Sequence, residues 1–208
     1  MSPLARRTRR PAGAGRGVAA AALAAASALA VAGCTTGSIA TSTPASNGQS
    51  FVAGDPGVTV FKSGAGPLAP PVSGPVVGGG KLTLAAYRGH VVVLNFWGSW
   101  CTPCREEAPD LAALATHFKA SGVRFLGIDI RDSAPSAEAF MSNFRISYPS
   151  LNDPSDNLAL DFRNTVPPAG IPTTLVISRS GRITARVIGG ATYDGLKTLV
   201  QRAAAEPG

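Results

Sequence analysis

Two cysteines three positions apart, Cys101 and Cys104, stand where an apolar stretch gives way to a helical pattern, in the run Asn95-Phe96-Trp97-Gly98-Ser99-Trp100-Cys101-Thr102-Pro103-Cys104. A thiol in the first turn of a helix sits among unpaired backbone N–H groups at the positive end of the helix dipole, and both favour its thiolate. One turn apart, the two sulfurs are close enough to join and part as a reversible disulfide. Such a pair performs two-electron thiol–disulfide exchange without any further cofactor.

The same spacing serves other chemistry. A Cys-x-x-Cys can be half of a zinc site, and His117 follows Cys104 at the spacing of a zinc finger's first histidine. The finger then needs a second histidine about three to five residues on, and residues 120–123 supply none. His90, the other histidine, opens the preceding strand and reads as a solvated surface residue. A purely structural disulfide would close so short a loop that it restrains the unfolded chain little. A copper carrier holding its ion on the two thiolates stays open as an alternative, although the chain has no Met-rich stretch and no paired histidine to help. Disulfide exchange is the leading reading.

The elements that must hold this pair can be read on either side of it. Residues 91–96 form a strand apolar on both faces, as in a buried sheet. Residues 102–120 form a helix with Ala108, Leu111, Leu114 or Ala115, and Phe118 at helical spacing, Pro109 inside it as an expected kink, and Gly122 at its end. A second strand follows at 123–130. Ser133 caps a further helix with Pro135 in its first turn and Ala139, Phe140 and Phe144 on one side. An extended piece at 148–151 leads into a short helix at 153–162. Strands at 173–178 and 183–189 are joined through Arg179-Ser180-Gly181, and 193–204 is a closing helix. The order predicts an α/β fold: a central mixed sheet with parallel and antiparallel neighbours, flanked by helices. Upstream, residues 64–80 read as ordered loop and short edge strands. Gly78-Gly79-Gly80-Lys81 is a turn and not a phosphate loop, since Pro75 occupies the first glycine position and Leu82 replaces the hydroxyl residue.

Residues 1–17 are basic, and 18–32 are an almost unbroken run of Ala, Val and Leu, shorter than the roughly 20 residues that span a membrane. That layout is an export signal, and Val31-Ala32-Gly33-Cys34 resembles a bacterial lipobox whose cysteine is lipidated after cleavage. The expected division is a lipoprotein signal peptide (1–33), a flexible tether from Cys34 to 55, and a redox domain at 56–208. Formal charge is +7, but five of the nineteen basic residues lie in the first sixteen positions; the rest balance as fourteen basic against twelve acidic. No phosphate-tracking stripe remains, which argues against nucleic acid as a partner. The lipid anchor would make the membrane surface one.

Between 68 and 204 the chain resembles the thioredoxin superfamily, and within it the membrane-tethered TlpA/ResA-like thiol–disulfide oxidoreductases. The resemblance rests on the run Asn95 to Glu107, on Gly170-Ile171-Pro172-Thr173-Thr174, and on the added segment at 132–168 between the βαβ half and the C-terminal ββα half. It implies a thioredoxin-like fold, with Cys101 the exposed nucleophile and Cys104 the buried resolving thiol, the disulfide itself serving in place of a cofactor. It implies that Ile171-Pro172 is a cis-proline loop beside the disulfide, where Ile171, Pro172 and Thr173 meet a bound polypeptide, and that Trp100 is an exposed substrate contact. Where thioredoxin carries a buried Asp before the motif, this chain has Asn95. Glu107 matches the acidic residue of the TlpA/ResA-like group and would relay a proton to or from Cys104. The implied activity is an extracytoplasmic disulfide reductase supplied by a membrane thiol donor of CcdA/DsbD type and acting on cysteine pairs in proteins such as apocytochrome c. Thr102-Pro103 and Glu107 lean towards reduction. An oxidase that forms disulfides in secreted proteins is the alternative within the same chemistry.

Overall fold

A computed structural model describes residues 49–51, 57–167 and 170–207. The expected signal peptide, Cys34 and the tether up to residue 48 lie outside the described residues.

The centre of the molecule is the strand that ends in the cysteine motif. Among the described residues nine strands run β1 (Gln49–Phe51), β2 (Val58–Phe61), β3 (Ser73–Pro75), β4 (Lys81–Thr83), β5 (Val92–Trp97), β6 (Arg124–Ile130), β7 (Ser150–Asp153), β8 (Thr173–Ile177) and β9 (Ile183–Ile188). The helices are α1 (Thr102–Phe118), α2 (Ala134–Asn143), α3 (Asn157–Asp161) and α4 (Tyr193–Ala205). Seven strands form one sheet in the order β1-β2-β9-β8-β5-β6-β7, and β3 and β4 form a separate two-stranded ribbon. β5 pairs in parallel with β6 and antiparallel with β8, so it is buried on both faces and on both edges. That position explains its unbroken apolar run: a strand with no solvent face has no use for alternation.

Each face of the sheet has its own core. Val91, Val93, Val176, Ala185 and Val187 meet Leu111, Leu114 and Phe118 of α1 and Leu196 and Val200 of α4. On the opposite face Leu94, Phe96, Leu126, Ile128 and Leu175 pack under Val72, Leu84 and Phe162. A third cluster at the top of the first face joins Trp97, both cysteines and Ala108 to Ala137 and Phe140 of α2.

The ends of the elements follow their residues. Ser133 caps α2 by accepting the Ser136 N–H at 3.3 Å. Gly122 closes the turn after α1 at φ 75°, and the β3–β4 turn runs through three glycines of positive φ, Gly78 to Gly80. α1 continues through Pro109.

Three expectations change. Ala137, not Ala139, is the small residue that α2 buries with Phe140; Ala139 is exposed, because the face is set by where Trp97 stacks. The extended piece expected at 148–151 is β7, and the third helix is shorter than the expected 153–162: Asp153 still belongs to β7 alongside β6, and the helix begins only at Asn157. The N-terminal strands were not anticipated. β2 pairs antiparallel with β9, and β1, which lies inside the stretch expected to be tether (34–55), pairs with β2 as the sheet edge.

Candidate active site

Cys101 and Cys104 form a disulfide with their Cα atoms 5.3 Å apart. Cys101 is the N-cap of α1, its Sγ accepting the Cys104 N–H at 3.2 Å. The sulfur thus occupies the position where a helix offers N–H groups to negative charge. In this disulfide form Cys101 is 5% exposed and Cys104 1%. The first cysteine is the more accessible of the two, but it is not the openly exposed residue that the resemblance implied. Both share a buried cluster with Trp97 and Ala108.

Glu107, one turn further along α1, is the main polar feature beneath the pair. It is 4% exposed, whereas its neighbour Glu106 is on the surface. Its Oε1 accepts from the Asn95 amide at 2.8 Å and its Oε2 from the Ala191 N–H at 2.7 Å. The same Asn95 amide donates to Thr174 Oγ1 at 3.0 Å. A carboxylate is thereby tied to β5, to β8 through Asn95, and to the turn before α4. Burial pushes Glu107 up to about 7; the Ala191 N–H and the Asn95 amide pull in the opposite direction, and Asp110 nearby adds to the rise. A group balanced there takes or gives a proton at neutral pH.

The Ile171–Pro172 peptide bond is cis. Ile171 is half-buried and packs against the cluster that contains both cysteines. No backbone hydrogen bond joins Ile171 to another described residue, while the Pro172 carbonyl accepts from Gly189. Thr173 is placed differently from the expectation of a substrate contact: its side chain is buried and its hydroxyl donates to the Gly170 carbonyl, so it shapes the loop from within.

Trp100 is 52% exposed beside the disulfide. Its indole N–H donates to the Ile130 carbonyl at 3.3 Å, and the Arg131 guanidinium lies 5.2 Å from its ring. Trp97 is buried, stacked on Phe140 at 4.4 Å and bonded to Ser150 Oγ. His117 is exposed against Phe118 and Tyr193, and His90 is half-buried with Nδ1 3.0 Å from the Gly122 carbonyl. Among the described residues no group of three or more His, Cys, Asp or Glu is placed to hold a metal ion.

Two features escaped the sequence. Ala191 acts through its backbone, which no residue pattern marks. Asp132 accepts the Ser99 N–H at 2.7 Å and so holds the turn leading into Cys101 from 33 residues away; a lone aspartate after a strand carries no such signal.

Similarity to known proteins agrees with this geometry. The chain is 33% identical over 114 residues to the thiol-disulfide oxidoreductase ResA of Bacillus subtilis, covering 55% of this chain and 62% of that one. It is 36% identical over 107 residues to the thiol:disulfide interchange protein HelX of Rhodobacter capsulatus, covering 51% and 56%. The matched stretch spans less than two thirds of either relative. The crystal structure of a secreted thiol-disulfide isomerase from Corynebacterium glutamicum superposes with a TM-score of 0.68 at 28% identity, over 76% of this chain and 100% of that one. The fold is therefore thioredoxin-like. The AhpC/TSA family pattern matches residues 65–186, more than half of the chain, and this chain belongs to that family, within the thioredoxin superfamily.

Proposed function

We propose that this chain is an extracytoplasmic thiol–disulfide oxidoreductase that reduces cysteine pairs in protein substrates. The observation that carries the reading is the Cys101–Cys104 disulfide at the N-terminus of α1 with Glu107 buried one turn beneath it. In the reduced protein, the Cys101 thiolate attacks one sulfur of a substrate disulfide, forms a mixed disulfide and releases the first substrate thiolate. Cys104 passes its proton to the Glu107 carboxylate and attacks Cys101 Sγ. The second substrate thiolate leaves, and the Cys101–Cys104 bond closes. Two electrons have moved from the protein to the substrate, and the thiolates that leave take up protons, one of them the proton that Glu107 gives back.

The substrate chain would lie along Ile171, whose backbone beside the disulfide pairs with no other described residue and suits an extended polypeptide, with Trp100 on the other side. The disulfide is the only redox group the reaction needs. The relatives' names support the class of chemistry, and apocytochrome c is the substrate we propose, since its haem-binding thiols must be free. A membrane thiol carrier of CcdA/DsbD type would return the electrons, and Cys34 would hold the domain at the outer face of the membrane by a lipid.

Cys104→Ser tests the chemistry: with a disulfide-bonded peptide it should accumulate a mixed disulfide through Cys101, and absence of that adduct would overturn the assignment. The reduction potential tests direction. A value near about −270 mV fits a reductase, whereas one near about −120 mV would make the protein an oxidant.

A further inference from the structure

A pair of carboxyl groups lies beneath the turn that carries Trp100 and Cys101. Asp129, on β6, is 0% exposed and stands in register with Trp97 on β5 and Asn152 on β7. Its Oδ2 accepts from the Asn152 amide at 2.9 Å, and its Oδ1 has no hydrogen-bond partner among the described residues. Asp132, just beyond the end of β6, spans two other elements. One oxygen accepts the Ser99 N–H at 2.7 Å, and the other accepts the N–H of Ser133, the cap of α2, at 2.8 Å. The carboxyl groups of Asp129 and Asp132 are within hydrogen-bonding reach of each other.

Two ionised carboxylates so placed repel, and neither has a hydrogen to offer the other. A proton on Asp129 Oδ1 removes both difficulties: the orphaned oxygen donates to Asp132, and Asp132 keeps both of its N–H partners. We propose that Asp132 is a positioning residue for the Cys101 turn, held in place by a proton resident on Asp129. Its consequence for exchange rests on the redox reading of Cys101 and Cys104; the geometry does not.

The turn is gripped from several sides. Asp132 holds the Ser99 N–H, and Arg105 Nη1 donates to the Ser99 carbonyl at 3.3 Å. Trp100 rests on the Ile130 carbonyl and on Arg131, which pairs with Asp156 at 3.1 Å. Around Asp129, β5 presents the uncharged Trp97 and β7 presents Asn152 and Asp153. Asp153 accepts the N–H groups of Leu158 and Ala159 and adds negative charge. Of the charged groups of α1, Arg105 is engaged on Ser99, Glu107 on Asn95 and Asp110 on the Tyr193 N–H, and Glu106 is on the surface. Burial raises Asp129 to about 7; the Asn152 amide lowers it, and Asp132 and Asp153 raise it further. Loss of that proton therefore falls near neutrality. It sets like charges face to face, and Asp132, the half-buried partner, is the one free to move and let Ser99 go.

The test is NMR of the oxidised full chain, in which the cysteines do not titrate. The Asp129 carboxyl carbon and the Ser99 amide should share one midpoint near neutrality, the amide moving upfield as pH rises. Asp129→Asn should abolish the Ser99 transition, and Glu107→Gln should leave it in place. Asp132→Asn should lower the Asp129 midpoint by about one unit, roughly tenfold in acid dissociation constant. A Ser99 amide flat from about pH 5 to 9, or one whose transition disappears in Glu107→Gln, would overturn the proposal. Should Asp129→Asn not fold, wild type against Glu107→Gln decides alone. Failure of the redox reading would show separately, as a disulfide inert to dithiothreitol and no mixed disulfide from Cys104→Ser.

Discussion

Replacing Glu107 by Gln should flatten the pH dependence of stability in a defined window. An ordinary glutamate releases its proton with a pKa near 4.5, and in this fold burial moves Glu107 to about 7. Between those values the folded chain holds a proton that the unfolded chain has lost. Stability is then greatest below pH 4.5, falls as pH rises to about 7, and is level above it. At about 1.4 kcal/mol per unit over roughly two and a half units, Glu107 accounts for a decline of about 3.5 kcal/mol. With the side chain 4% exposed, solvent screening reduces this little. The substituted side chain cannot ionise, yet its oxygen can keep the Ala191 N–H. The Asn95 amide can turn over so that its own oxygen accepts from the new amide group and from the Thr174 hydroxyl. The variant should therefore fold. Urea unfolding of both oxidised proteins at a series of pH values gives the difference curve directly, and the slope from Asp129 cancels because both proteins carry it. A difference constant to within about 0.5 kcal/mol across the window would refute the buried, proton-holding role. In the reduced proteins, the thiol titration should shift to lower pH in Glu107→Gln, because a carboxylate one turn away disfavours a thiolate. Unchanged curves for both cysteines would remove Glu107 from the mechanism.

Two further outcomes follow from packing. A Cβ at Gly127 would press on Ser150 Oγ and stand 2.6 Å from Trp97 Nε1, so Gly127→Ala should cost roughly 2–4 kcal/mol in chemical denaturation by overpacking and loss of the Trp97–Ser150 hydrogen bond. Trp100→Ala removes an exposed ring, so it should change stability by under about 1 kcal/mol while weakening binding of a protein disulfide substrate about tenfold. Its reduction by dithiothreitol should be unaltered, and an equal loss with the small reductant would argue against a substrate contact.

The placement of the reactive pair and the order of its supports were legible in the residues alone. An apolar strand running into Cys-x-x-Cys, a helical spacing from Ala108 to Phe118, Ser133 before a helix and Arg179-Ser180-Gly181 between two strands are all local signals, carried by periodicity and by turn or cap chemistry. β2 escaped because four residues, Val58–Phe61, buried on every side, show no alternation to read. How the polar groups near the disulfide behave depends on contacts made across the fold. Glu107 meets Asn95 from 12 residues away and Ala191 from 84, and Asp132 meets Ser99 from 33. Whether Glu107 is a solvated end of a helix or a buried proton holder depends on sheet order and on where α4 begins. Thr173 faces inward for the same reason: its strand is locked between β5 and β9, and that register turns its hydroxyl onto the loop behind it. Desolvation and hydrogen bonding set a carboxyl's proton affinity, and both are properties of the surroundings that folding brings to it, not of the residue or its sequence neighbours.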